Sequence, residues 1–166
     1  MTGLVCFAHG KESGPWGKKI TRLGEVAQRR GWRVDSPDYR FTRDPDERVA
    51  HLQSLDYGGE APLVLVGSSM GGYVSAVVSN QWRPAGLFLM APALYMPGYE
   101  ADVAPRAEHV AVVHGWRDDI VPVDKSLEYA RRYRAECHLL DSGHTLNDQL
   151  PLLGVLFEAF LATVED

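Results

Sequence analysis

The stretch Val64-Leu65-Val66-Gly67-Ser68-Ser69-Met70-Gly71-Gly72 decides how this chain folds. A short aliphatic run ends in Gly-x-Ser-x-Gly, and apolar residues then return at helical spacing at Met70, Tyr73, Val74, Val77 and Val78. A strand that turns sharply into a helix crowds its own backbone, and small residues two positions either side of the turn relieve that crowding. The residue at the turn is Ser69. The pattern predicts its hydroxyl exposed at the carboxyl edge of a sheet, near the positive end of a helix dipole.

Working outward, short apolar runs alternate with helix-period segments, which implies a largely parallel sheet covered on both faces. Strands are expected at Leu4 to Ala8, Trp32 to Asp35, Leu63 to Val66, Leu87 to Met90, Val110 to Val113 and Cys137 to Leu140. Ile20, Leu23 and Val26 mark the first helix, and Gly31 is placed to stop it. Asp44-Pro45-Asp46-Glu47 starts the second: Asp44 caps, Pro45 suits the first turn, and Glu47 completes a capping box. Leu127, Ala130 and Tyr133 line a later helix, and Leu153, Phe157 and Phe160 the last, with Pro151 near its first turn. The one long irregular connection runs from Ala91 to Glu108.

The chain has 166 residues, about the size of one domain, and residues 1–166 are expected to form one. Its formal net charge is −5 without long runs of one sign, which speaks against a nucleic-acid partner. The two cysteines, Cys6 and Cys137, suit neither a metal cluster nor a disulfide framework. No segment approaches the ~20 apolar residues of a membrane span, and the first residues lack a basic leader. A cytoplasmic protein without a membrane partner is expected.

A serine needs a base, and the base an acid to orient it. Among 6 histidines, His144 stands out because it follows the sixth strand in Asp141-Ser142-Gly143-His144, at the same sheet edge as Ser69. His138 lies inside that strand, His51 on a helix and His109 at the opposite end, while His9 and His114 are read as shaping loops. The acid should end the fifth strand, where Asp118 and Asp119 compete; Asp141 is a weaker rival.

His9-Gly10, Gly67-Ser68-Ser69-Met70-Gly71, His114-Gly115-x-x-Asp118-x-x-Val121-Pro122 and Gly143-His144, in that order, resemble the recurring motifs of the α/β-hydrolase superfamily. The nearest likeness is to small bacterial serine hydrolases without a cap domain, distantly dienelactone-hydrolase-like, although those lactonases carry cysteine where this chain has Ser69. The resemblance implies a three-layer α/β-hydrolase fold with about six strands, the first two of the full fold being absent, in the order 2-1-3-4-5-6. It also implies Asp118 as the acid and Asp119 as its solvent-facing neighbour. An oxyanion hole would draw one N–H from Met70, after the nucleophile, and the resemblance supplies the second from Lys11, after His9-Gly10. Without a cap, the pocket should be shallow and open.

Other chemistries find less support. Position 12 is Glu12 where a phosphate loop requires glycine, Lys19 stands where that motif has Ser or Thr, and no Gly-x-Gly-x-x-Gly occurs. Clustered metal ligands are missing from the sequence, so no metal or cofactor is expected. Tyr95, Met96, Tyr99 and Trp116 either line an acyl pocket or simply pack. The reading is a cofactor-free serine hydrolase acting on a small-molecule carboxylic ester or thioester. Its alternative is a non-catalytic binding protein on the same fold.

Overall fold

The computed structural model describes residues 3–166. Six strands, all parallel, form one sheet: β1 (Leu4–Ala8), β2 (Arg33–Asp35), β3 (Leu63–Ser68), β4 (Gly86–Met90), β5 (His109–Gly115) and β6 (Glu136–Leu140), in the order β2-β1-β3-β4-β5-β6. This is the order that the α/β-hydrolase resemblance implies. Among the described residues five α-helices cover the sheet: α1 (Lys18–Arg29), α2 (Pro45–Ser54), α3 (Met70–Trp82), α4 (Val123–Tyr133) and α5 (Leu150–Glu165).

The period of two along each strand divides the core into two layers. Val5, Phe7, Val64, Val66, Phe88 and Val113 face α1 and α5. Leu4, Cys6, Leu63, Leu65, Leu87 and Val112 face the other way, with Leu52 of α2, Val74 of α3 and Tyr129 of α4. In α5, Phe157 and Phe160 hold Phe88 between them, with ring centroids 5.0 and 5.3 Å away. Full burial of each such ring is worth ~3 kcal/mol.

The helix boundaries follow the local chemistry. α1 ends in a Schellman motif: Gly31 has φ +86°, its N–H reaches the Gln28 carbonyl, and the Trp32 N–H reaches that of Ala27. Trp32 therefore closes the helix and is buried, and β2 begins one residue later than expected. Asp44 caps α2 by accepting from the Asp46 and Glu47 N–H groups at 2.8 and 3.0 Å. The expected capping box does not close. The Thr42 hydroxyl accepts from the Asp44 N–H at 3.1 Å and donates to the Glu47 carboxylate at 2.6 Å, standing between the two partners.

Residues 91–108 contain no helix or strand, so nothing resembling a cap domain sits over the carboxyl edge of the sheet. None of the described helices is long and apolar enough to cross a membrane. Both cysteines are free; Cys6 is buried and Cys137 half-buried.

The turn from β3 into α3 is the tightest place in the fold. A Cβ on Gly67 would lie 2.2 Å from the Gly71 carbonyl oxygen, and one on Gly71 would lie 1.9 Å from that of Ala8. Both obstacles are backbone, which cannot step aside cheaply. Gly71→Ala should therefore lower stability by about 3 kcal/mol, the upper end for overpacking. A melting temperature within two degrees of the parent, measured by calorimetry, would contradict this account of the turn.

Candidate active site

Ser69 sits between β3 and α3 with φ 53° and ψ −116°, a backbone state that a side chain makes costly. Surrounding bonds impose it. The Ser69 N–H donates to the Met90 carbonyl at 3.0 Å, and the Ser69 carbonyl accepts from the N–H groups of Gly72 and Ala93 at 2.9 Å each. The hydroxyl is left pointing out of the turn, where His144 Nε2 lies 3.1 Å away.

The loop that carries His144 is drawn in because the β5–β6 ladder continues past both strands. The Trp116 N–H reaches the Leu140 carbonyl at 2.8 Å and the Arg117 N–H that of Ser142 at 2.9 Å. Gly115 permits the approach, since a Cβ there would lie 2.3 Å from the Ser142 carbonyl oxygen. Asp118 is thereby set beside His144, with Oδ2 2.7 Å from Nδ1. Its other oxygen accepts from the N–H groups of Ile120 and Val121 at 2.9 and 2.8 Å. The Asp118 side chain is fully buried, whereas Asp119 is exposed. Asp141 is occupied elsewhere, accepting from Arg117 Nε at 2.8 Å.

A second histidine reaches the same carboxylate. His114, buried in β5, has Nε2 2.9 Å from the Val121 carbonyl and 3.1 Å from Asp118 Oδ2, while Nδ1 lies 2.7 Å from Ser126 Oγ. Burial lowers its pKa, so the ring is neutral near pH 7. The neighbours then assign the tautomer: Nε2–H donates toward Val121 and Asp118, and the Ser126 hydroxyl donates to Nδ1. His114 is a prop for the carboxylate rather than a mere loop former.

The loop after β1 is held by a residue that no sequence motif singles out. Arg48 of α2 is buried, with Nη1 3.2 Å from the His9 carbonyl and 3.1 Å from that of Gly10, and Nε 2.9 Å from that of Thr42. His9 adds a clamp, accepting from the Tyr39 N–H at 2.9 Å while its Nδ1–H donates to the Gly10 carbonyl at 2.8 Å. In a trans peptide the N–H points opposite the C=O, so turning the Gly10 carbonyl toward Arg48 turns the Lys11 N–H away from it. Gly10 itself lies against Ser69, a Cβ there being 3.5 Å from that of Ser69. Met70 opens α3, so its N–H has no partner within the helix.

A cavity of about 520 Å³ opens over Ser69 and His144, a volume within the ordinary range for small-molecule sites. Ala93, Met96, Tyr99, Ile120 and Val121 form its apolar wall, and Lys11, Glu12, Ser13, Lys19 and Thr145 its polar one. Two expected lining residues, Tyr95 and Trp116, do not border it. The Tyr95 ring packs beside Tyr129 with the Arg132 guanidinium 5.4 Å from its centroid, because the backbone at Tyr95 adopts φ 58° and turns the side chain toward α4. Trp116 is 56% exposed to solvent. Lys19, which in the sequence only argues against a phosphate loop, donates from Nζ to the Thr145 carbonyl at 2.7 Å. No group of three His, Cys, Asp or Glu side chains suited to a metal ion occurs among the described residues.

Residues 4–101 match the uncharacterised protein family UPF0227, over more than half of the chain. None of the curated proteins matches the sequence. Among solved structures, a protein of Xanthomonas campestris pv. campestris assigned to the α/β hydrolase superfamily is 32% identical, with a TM-score of 0.90, covering 97% of this chain and 99% of its own. The Pyrococcus furiosus esterase Pf2001 is 16% identical with a TM-score of 0.74 over 95% of this chain and 83% of its own. Mouse alpha/beta hydrolase domain-containing protein 10 is 18% identical with a TM-score of 0.76, covering 97% and 90% respectively. The last two likenesses are of fold.

Proposed function

Since the chain belongs to the uncharacterised protein family UPF0227 and to the α/β-hydrolase superfamily, we propose that it is a serine hydrolase that cleaves a small carboxylic ester or thioester. The observation that carries this reading is the hydrogen-bonded line Ser69–His144–Asp118, whose first two members border the cavity. An esterase from Pyrococcus furiosus shares the fold.

The steps follow from the geometry. His144 Nε2 accepts the Ser69 proton as Oγ attacks the carbonyl carbon, and Asp118 stabilises the imidazolium through Nδ1–H. The carbonyl oxygen, now negative, takes hydrogen bonds from the N–H groups of Met70 and Lys11. Collapse breaks the bond to the leaving oxygen or sulfur, which receives the proton from His144. Water then attacks the acyl-enzyme, again giving its proton to His144, and Ser69 is regenerated. Stoichiometric labelling of Ser69 by a fluorophosphonate probe, abolished in Ser69→Ala, is the direct test. A folded protein that takes up no label would be a binding protein on this fold.

The apolar wall also bears on acyl length. Ile120 is 59% exposed, and residues 91–108 offer no helix to close over a long chain. Each CH₂ left in water forfeits ~0.8 kcal/mol of binding. Acyl groups of about two to six carbons should therefore be preferred, with kcat/KM flat or falling beyond that. Values rising from four to twelve carbons, measured below micelle formation, would mean that Met96 and Tyr99 form a groove.

A further inference from the structure

We infer that Lys19 anchors a carboxylate on the substrate, so that the preferred substrate is a short ester or thioester carrying a second, ionised carboxyl group. The inference rests on the serine-hydrolase reading of the same cavity and names the substrate class within it.

Lys19 lies in the first turn of α1 and reaches into the cavity that holds Ser69 and His144. An ammonium has three N–H donors. One is used on the carbonyl of Thr145, the residue after His144. Among the described residues no carboxylate pairs with Lys19, and the first turn of α1 contains no acidic side chain. Burial has lowered its pKa to about 8, opposed by the charge of Asp118, so the group is still a cation at pH 7.

A half-buried cation with one hydrogen bond and no carboxylate in contact has recovered only part of its lost hydration, and an incoming anion restores the balance. The other charged residues on the wall are Lys11 and Glu12. Lys11 is exposed at the rim; the acidic residue on the wall, Glu12, accepts from Arg43 Nη2 at 3.1 Å, and Asp118 is engaged by His144. A single fixed ammonium fits a monoanion such as a carboxylate; phosphate is more often held by several donors or a guanidinium fork. Lys19 and Ser69 border the same cavity of about 520 Å³, the size of a small-molecule site.

The test uses matched pairs that differ in one charge. Mono-p-nitrophenyl adipate against p-nitrophenyl hexanoate places the anion on the acyl side. p-Butyryloxybenzoate against its methyl ester places it on the leaving group. In at least one pair, the charged-to-neutral ratio of kcat/KM should fall at least about tenfold in Lys19→Met, as loss of a charge-assisted hydrogen bond implies, and recover in part in Lys19→Arg. Taking the ratio cancels any general loss of activity. Ratios unchanged by Lys19→Met in both pairs, with hydrolysis still dependent on Ser69, overturn the inference and leave the serine-hydrolase reading standing. Hydrolysis that survives Ser69→Ala overturns both. If none of these esters is turned over, adipate protection of Ser69 from fluorophosphonate is measured instead. The protecting concentration should rise at least about tenfold in Lys19→Met, and an unchanged concentration overturns the inference.

Discussion

Ser69→Ala is expected to hydrolyse p-nitrophenyl acetate on the order of 10⁴-fold more slowly than the parent, or worse, while remaining folded. The hydroxyl makes one contact in the site, to His144, whereas the turn is held by backbone bonds that alanine retains. The strained φ of 53° is also borne equally by either residue. Far-ultraviolet circular dichroism and melting temperature should therefore change little. His144→Ala should produce a loss of the same order, and the double variant should be scarcely worse than either single one, because residues acting as one unit do not add. Turnover by Ser69→Ala near the parent rate, with contaminating esterase excluded by an independent preparation, would remove the mechanism.

The second large effect separates two adjacent aspartates. Asp118→Asn should lower kcat by up to ~10⁴, and Asp119→Asn by less than about threefold. The carboxylate of Asp118 accepts on both oxygens: Oδ1 from two backbone N–H groups, Oδ2 from His144 and His114. An asparagine amide keeps one acceptor and replaces the other with a donor. If the oxygen stays with Ile120 and Val121, the NH₂ faces His144 and drives it to the tautomer in which Nε2 carries the proton and cannot accept one from Ser69. Asp119 is exposed and takes no part in this line. Equal losses at the two positions, from steady-state kinetics on p-nitrophenyl acetate, would mean that the imidazole is oriented by something other than Asp118.

Much of this was legible in the sequence because its signals are local. The step from strand to helix, with glycine two places either side of Ser69, is a matter of nearest-neighbour sterics. So is the stop at Gly31 and the cap at Asp44. The continuous apolar runs Leu4 to Ala8 and Leu63 to Val66 mark strands buried on both faces, and the pleat sends their successive side chains into the two core layers. Position after the sixth strand singles out His144, and the family likeness Asp118; the structure brings His144 to Ser69 and Asp118 to His144.

What the tertiary structure alone decided concerns polar side chains whose partners lie far along the chain. Arg48 reads as one more charged residue on an amphipathic helix, yet it is buried against the carbonyls of His9 and Gly10 and orients the backbone that faces Ser69. His114 reads as loop-forming, yet β5 carries it to the far side of Asp118. Tyr95 and Trp116 were expected in the cavity, and a positive φ at Tyr95 and the open surface around Trp116 remove them from it. Lys19 enters that cavity because the loop after β6 passes over the first turn of α1 and offers the Thr145 carbonyl. Periodicity reports which face of an element is apolar, and it does so within a few residues. It does not report where two loops meet, and the partner of a buried charge is chosen there.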